Sequence, residues 1–210
     1  MVFLTAKQLF EELLSYYGPQ NWWPGVGFEI AVGAILTQNT SWKNVEIALE
    51  NLRNIDLLNP ENIVACEIDL LKNMIKPSGF FNQKSQYLKN FSKFWINNSN
   101  PSRDELLQIK GIGEETADSI LLYLLNKPEF VVDAYTVRIS NRIGLGKSDS
   151  KQYWKEFFEK ALDKDIHLFN EYHALLVIHG KEKCNKKNPN CKECFLNRKC
   201  EYGKKQNYLL

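Results

Sequence analysis

The chain has no long apolar run. No stretch of about 18 consecutive apolar residues occurs, so no transmembrane helix is expected. The start, Met1-Val2-Phe3-Leu4-Thr5-Ala6-Lys7, lacks the basic flank and apolar core of a secretory signal. Low-complexity linkers and tandem repeats are also missing. Charge of one sign is scarce: a formal +2 over 210 residues says nothing by itself about a polyanionic partner. Cysteine is nearly absent before the last thirty residues, where only Cys66 stands. These absences argue against a membrane protein, a repeat array and a disulfide-stapled secreted domain. They lead to the expectation of a soluble, cytoplasmic protein, nucleoid-associated in a prokaryote, with a monomer as the default.

Hydrophobic residues make up 44% of the chain, enough for one large domain or two small lobes. Their spacing is helical almost throughout. Helices are predicted over Ala6–Tyr17 behind a Thr5 cap, Phe28–Leu36, Ser41–Arg53, Ile68–Ile75, Asn82–Ile96, Arg103–Ile109, Glu114–Asn126, Tyr135–Ile143, Tyr153–Leu162 and His167–Gly180. Pro77, Pro101 and Pro128 fall between them, where helices stop. The predicted class is all-α, with helices packed around two cores.

Charge is clustered where its sum is not. Residues 181–205 hold nine Lys/Arg and three acids, a surplus of six that leaves −4 on the rest. A basic tip on a nearly neutral body suits a polyanion, and a solvated lysine-rich tail is the plainer alternative.

The same segment carries Cys184-x6-Cys191-x2-Cys194-x5-Cys200. Four thiolates can hold a tetrahedral zinc or a [4Fe–4S] cube. Zinc sites of this size usually show two close ligand pairs, and here only Cys191 and Cys194 are close. The 6-2-5 spacing, with the preceding Tyr172-His173-Ala174-Leu175-Leu176-Val177-Ile178-His179-Gly180-Lys181, resembles the cluster loop of the endonuclease III family. That resemblance implies a [4Fe–4S] cluster on Cys184, Cys191, Cys194 and Cys200, with Lys186, Lys187 and Lys192 presented to DNA phosphates. Cys66, His167 and His173 read as structural.

Lys110-Gly111-Ile112-Gly113 joins two amphipathic segments, with Ile109 and Ile112 as apolar anchors. Free N–H groups at such a turn form an anion nest. A lone Gly-x-Gly is also an ordinary turn. In this setting it resembles the helix-hairpin-helix motif, which grips a DNA backbone without reading sequence. Beyond it, Asp133 emerges from the apolar run Phe130-Val131-Val132. A helix N-cap is the simplest account of such an aspartate. Helix-hairpin-helix DNA glycosylases carry an essential aspartate at this distance, and Asp133 matches it.

Bifunctional endonuclease III-like enzymes place a Schiff-base lysine two residues after the second hairpin glycine. Glu115 stands there, and a carboxylate forms no imine. The sequence therefore resembles a monofunctional glycosylase that uses water.

Trp22-Trp23-Pro24, Leu36-Thr37-Gln38-Asn39-Thr40 and Lys76-Pro77-Ser78-Gly79-Phe80-Phe81-Asn82-Gln83-Lys84 resemble the 3-methyladenine DNA glycosylase III branch. The resemblance implies a base pocket with Trp22, Trp23 and Pro24 on one side and Trp42 facing them. Indole faces suit a cationic alkylpurine. A tryptophan plug at a domain junction is the bland alternative. Gln38 and Phe80 match side chains that fill the duplex after base extrusion. The implied fold is two-lobed: a central helical barrel over 25–127 and a discontinuous lobe of 1–24 with 128–210. Asp133 and the tryptophans would face the cleft between the lobes. The implied activity is hydrolytic release of a damaged base from double-stranded DNA, with N3-methyladenine favoured. Two rivals stay open: an enzyme for mismatched uracil or thymine or for oxidised pyrimidines, with lyase activity, and a non-catalytic DNA-binding or redox-sensing iron–sulfur protein.

Overall fold

A computed structural model describes residues 4–23 and 25–207, and the expectation for Pro24 lies outside them. The described residues are helical, with no strand among them. Two compact units emerge: Trp23–Lys127, and Met1–Trp22 together with Pro128–Leu210.

In the Trp23–Lys127 unit the centre is α2 (Phe28–Leu36), in which every residue from Ile30 to Leu36 is buried. It packs against α3 (Trp42–Arg53), α6 (Phe81–Asn97), α8 (Glu114–Ser119) and the π-helical turn Ile120–Leu124. α3 buries Val45, Ala48, Leu49 and Leu52 on one face, as helical periodicity requires. A short α4 (Pro60–Ala65) went unpredicted. Asn59 caps it, its Oδ1 accepting from the Asn62 N–H at 2.7 Å, and Pro60 takes the first turn, where a missing N–H costs nothing. α5 (Ile68–Ile75) runs into a 3₁₀ turn, Lys76–Ser78.

α7 (Arg103–Leu107) and α8 flank the Lys110–Gly113 turn. A Ser102/Glu105 capping box starts α7. Arg103 closes the pair on Asp118 by a fork, Nε to Oδ1 at 2.8 Å and Nη2 to Oδ2 at 3.3 Å, with Asp118 buried.

The other unit is built on α11 (Ile166–Glu182), which packs on α1 (Ala6–Tyr17) and α9 (Ala134–Ile143). α10 (Lys151–Ala161) and α12 (Glu201–Asn207) also pack on α9. Phe130, Phe158, Phe169 and Tyr172 form a buried aromatic core; the Phe130 and Phe158 rings stack at 4.4 Å. The Tyr172 hydroxyl donates to the Ala6 carbonyl at 2.8 Å, which satisfies its one polar atom. This core anchors Phe130, three residues ahead of Asp133. Among the described residues no helix is long and apolar enough to cross a membrane.

Candidate active site

Asp133 is the N-cap of α9 and is 8% exposed. Its Oδ1 accepts from the Thr136 N–H at 2.7 Å and the Thr136 hydroxyl at 2.9 Å. Its Oδ2 stands 3.6 Å from His173 Nε2. Burial alone would raise the carboxyl's pKa, but His173 and the two Thr136 donors outweigh it and hold the group below the usual carboxylate range. The cap expectation holds as geometry, and only one oxygen is spent on it. His173, expected to be structural, is the neighbour of this carboxylate that the sequence did not point to. It sits on α11 among buried neighbours, so its spacing reads as core.

At the hairpin, Gly111 has φ 102°. A Cβ there would lie 2.1 Å from the Tyr87 ring, so only glycine fits both backbone and space. Ile112 is buried and Lys110 is exposed. Gln38 is bound to this turn: its Nε2 donates to the Gly111 carbonyl at 2.9 Å and the Thr116 hydroxyl oxygen at 3.1 Å. Phe80 is presented differently. It is 60% exposed and held in the left-handed region at φ 47° and ψ 30°. That conformation costs about 1–3 kcal/mol in a residue of this bulk.

Behind both loops lies Lys84, 2% exposed. Its Nζ donates to the carbonyls of Leu36 and Ser78, each at 2.7 Å. Burial lowers its pKa to about 8. Taking an ammonium out of water costs several kcal/mol. Two charge-assisted bonds return about 3–6 kcal/mol, so the arrangement gains little net stability.

Trp23 and Trp42 are in edge-to-face contact at 5.0 Å, and Trp23 also meets Tyr123 at 5.0 Å. Both rings pack over Gly33, where a Cβ would meet Trp23 at 3.4 Å and Trp42 at 3.5 Å, ordinary van der Waals contact. The indoles touch, so they form one aromatic wall and leave no slot for a base between them. Trp22 belongs to the other unit, where Lys181 Nζ lies 5.9 Å from its ring. It lines an open recess with Phe10, Leu14, His167, Asn170 and Glu171.

The match to known proteins is decisive for the family. Residues 32–164 match the model of the HhH-GPD superfamily base excision DNA repair protein, more than half of the chain. A Methanocaldococcus jannaschii protein provisionally assigned as a DNA repair glycosylase is 47% identical, the alignment spanning 94% of this chain and 96% of that one. The chain belongs to the HhH-GPD superfamily. Its enzyme class is DNA glycosylase. Endonuclease III of Thermotoga maritima is 28% identical over 95% of this chain and 94% of its own. The structure of Helicobacter pylori 3-methyladenine DNA glycosylase (MagIII) bound to 1,N6-ethenoadenine superposes with a TM-score of 0.78 and 30% identity, covering 85% of this chain and 98% of that one.

In this HhH-GPD chain, Glu114 and Glu115 occupy the first turn of α8, where carboxylates suit the helix dipole. Lys84, the lysine with a lowered pKa, is buried and doubly bonded to carbonyls, so it is not presented to a sugar.

The cysteine loop lies wholly in the unit that carries Asp133. Cys184, Cys191, Cys194 and Cys200 line one cavity with Arg142, His179 and Leu196. The loop has its own anchors: Leu196 is buried, and Phe195 stacks on Tyr16 at 4.0 Å. Lys199 pairs with Glu12. Burial pushes the Cys194 thiol up to about 11 and raises Cys191 and Cys200 as well. Only a strongly cationic centre would draw off those protons. Among the described residues no three His, Cys, Asp or Glu side chains group closely enough for one metal ion. Lys186, Lys187 and Lys192 project to solvent from this loop.

Proposed function

We propose that this chain is a monofunctional DNA glycosylase that hydrolyses the N-glycosidic bond of an extruded alkylated purine, N3-methyladenine favoured, and leaves an abasic site. The observation that carries the reading is Asp133: a buried carboxylate kept ionised, with one oxygen engaged by Thr136 and the other beside His173. Cleavage of the bond builds oxocarbenium character on the sugar. A fixed anion beside C1′ stabilises that charge and orients or deprotonates water. Glu115 supplies no amine for a covalent route, so water is the nucleophile.

The substrate class rests on the aromatic wall and on the likeness to MagIII. An alkylated purine is cationic, and the part-exposed indoles of Trp23 and Trp42 attract it more than a neutral base. Its bond is already labile, so little acid catalysis is needed. Double-stranded DNA is the partner, gripped through Lys110, Gly111, Ile112 and Gly113 and the exposed Lys186, Lys187 and Lys192.

The four thiols fit a [4Fe–4S] cube. Each of its four irons would take one thiolate, and the four thiols line one cavity. Arg142 Nη1 at 3.4 Å from Cys184 Sγ and the Gly203 N–H at 3.4 Å from Cys200 Sγ supply the donors that sulfur ligands take. When bound, the cluster holds the basic loop in shape, and no chemical step at the sugar needs it.

The test compares wild type with Asp133→Asn, which keeps size and an acceptor for the cap. Both are incubated with methylated duplex DNA, and released bases are identified by chromatography. Release of N3-methyladenine by the wild type, lowered about 10²- to 10⁴-fold in the variant, is expected. Equal release by both would overturn the role of Asp133. Release of oxidised pyrimidines from an oxidised duplex run in parallel, with no release of alkylated bases, would favour the endonuclease III reading.

A further inference from the structure

Three features of the Trp23–Lys127 unit meet at one buried ammonium. The Leu36 carbonyl ends α2, two residues before Gln38. The Ser78 carbonyl ends the 3₁₀ turn, two residues before Phe80. Lys84 Nζ holds both at 2.7 Å and is itself one turn into α6, the helix that Phe80 caps. Gln38 in turn holds the hairpin through the Gly111 carbonyl and Thr116.

We propose that Lys84 is a positioning residue for base extrusion. Its ammonium sets the Gln38 loop and the Phe80 turn at a fixed separation, so that the wedge and the hairpin engage the duplex as one piece. The inference rests on the proposed glycosylase reading and names how that activity is prepared.

Three observations support it. A carbonyl at a helix end has no partner within the helix, and water, a tightened last turn or a nearby side chain serves it. Here a buried charge serves two such carbonyls from different segments. The residue two positions past the second carbonyl is an exposed phenylalanine in a strained backbone conformation. Strain of that kind persists only when its surroundings over-determine it, and Lys84 is a fixed point directly behind it. Finally, Lys84 sits in an amphipathic helix whose other buried positions are Ser85, Leu88, Phe91 and Ser92, so an apolar side chain would fill the site without this linkage.

The experiment uses the full chain and duplex DNA carrying 2-aminopurine beside an N3-methyladenine analogue, with fluorescence reporting extrusion. Lys84→Met is expected to slow extrusion and single-turnover base release about tenfold or more, with affinity for undamaged duplex within about twofold. Extrusion and binding therefore separate, which a general loss of structure would not produce. Phe80→Ala supplies the second arm. If Lys84 acts through the Phe80 turn, adding Lys84→Met to Phe80→Ala costs less than the product of the two single effects. Lys84→Gln, which keeps an uncharged donor, is read in the same way if the methionine variant does not fold.

Extrusion at the wild-type rate by a folded Lys84 variant, or strict additivity with Phe80→Ala, overturns the proposal. A wild type that neither extrudes nor releases any damaged base overturns the glycosylase reading instead.

Discussion

Arg142 Nη1 lies 3.4 Å from the Sγ of Cys184. The same guanidinium donates to the carbonyls of Asn185 at 2.7 Å and Lys186 at 2.9 Å, and stacks over Tyr202. Arg142 is on α9, whose first turn is capped by Asp133. One helix thus carries the candidate carboxylate at its start and, about 13 Å along its axis, the brace of the cysteine loop. Arg142→Met is expected to leave the Asp133 cap intact and to lower the iron and sulfide content of the purified chain. Metal analysis with limited proteolysis of the 184–200 loop checks it, and unchanged content would show that the loop needs no brace.

The Asp133–His173 pair predicts a pH dependence. A carboxyl held below its ordinary range stays ionised as pH falls, so base release by the wild type changes little between about pH 7.5 and 5. Without His173, burial is opposed by Thr136 alone, and the pKa of Asp133 moves up. His173→Gln is expected to lose activity over that interval. The stability contribution runs in the same direction: it is present above the unfolded carboxyl pKa and is lost as pH falls through the folded one. Rate profiles of the two proteins decide it, and parallel profiles would remove His173 from the site.

Glu115→Lys places an amine where bifunctional relatives have one. The variant is expected to gain an adduct with abasic duplex DNA that borohydride reduces to a stable bond. A gel shift detects it, and absence of an adduct would mean that position 115 does not reach the sugar.

Gly111→Ala tests the hairpin. The new methyl meets the Tyr87 ring while the backbone stays at positive φ. A loss of about 1–3 kcal/mol is expected, which lowers the melting temperature by several degrees, with weaker duplex binding. Wild-type melting would contradict the packing described here.

Much of the fold is legible in the sequence because helical periodicity is strong where a face is buried. Ala6–Tyr17, Phe28–Leu36 and Ile68–Ile75 have the expected limits. The π-helical stretch inside Glu114–Asn126 leaves no trace in that period. α4 was missed although Asn59 and Pro60 mark its start, because six residues bury only Ile63. α12 lies in what reads as a lysine-rich tail. The site is legible where chemistry is clustered, as in the four cysteines. Lys84 and His173 are not, because a lysine on an amphipathic helix reads as solvated and a histidine in an apolar run reads as core. Both acquire meaning only from their partners in the fold, the Leu36 and Ser78 carbonyls for Lys84 and the Asp133 carboxylate for His173.

One reaction tests the central claim most directly. The chain, purified without oxygen, is incubated with methylated duplex DNA in the presence of borohydride, and free bases and protein–DNA adducts are measured together. Release of N3-methyladenine with no adduct is the predicted result. A trapped adduct, or no release of any alkylated base, would contradict a monofunctional alkylpurine glycosylase.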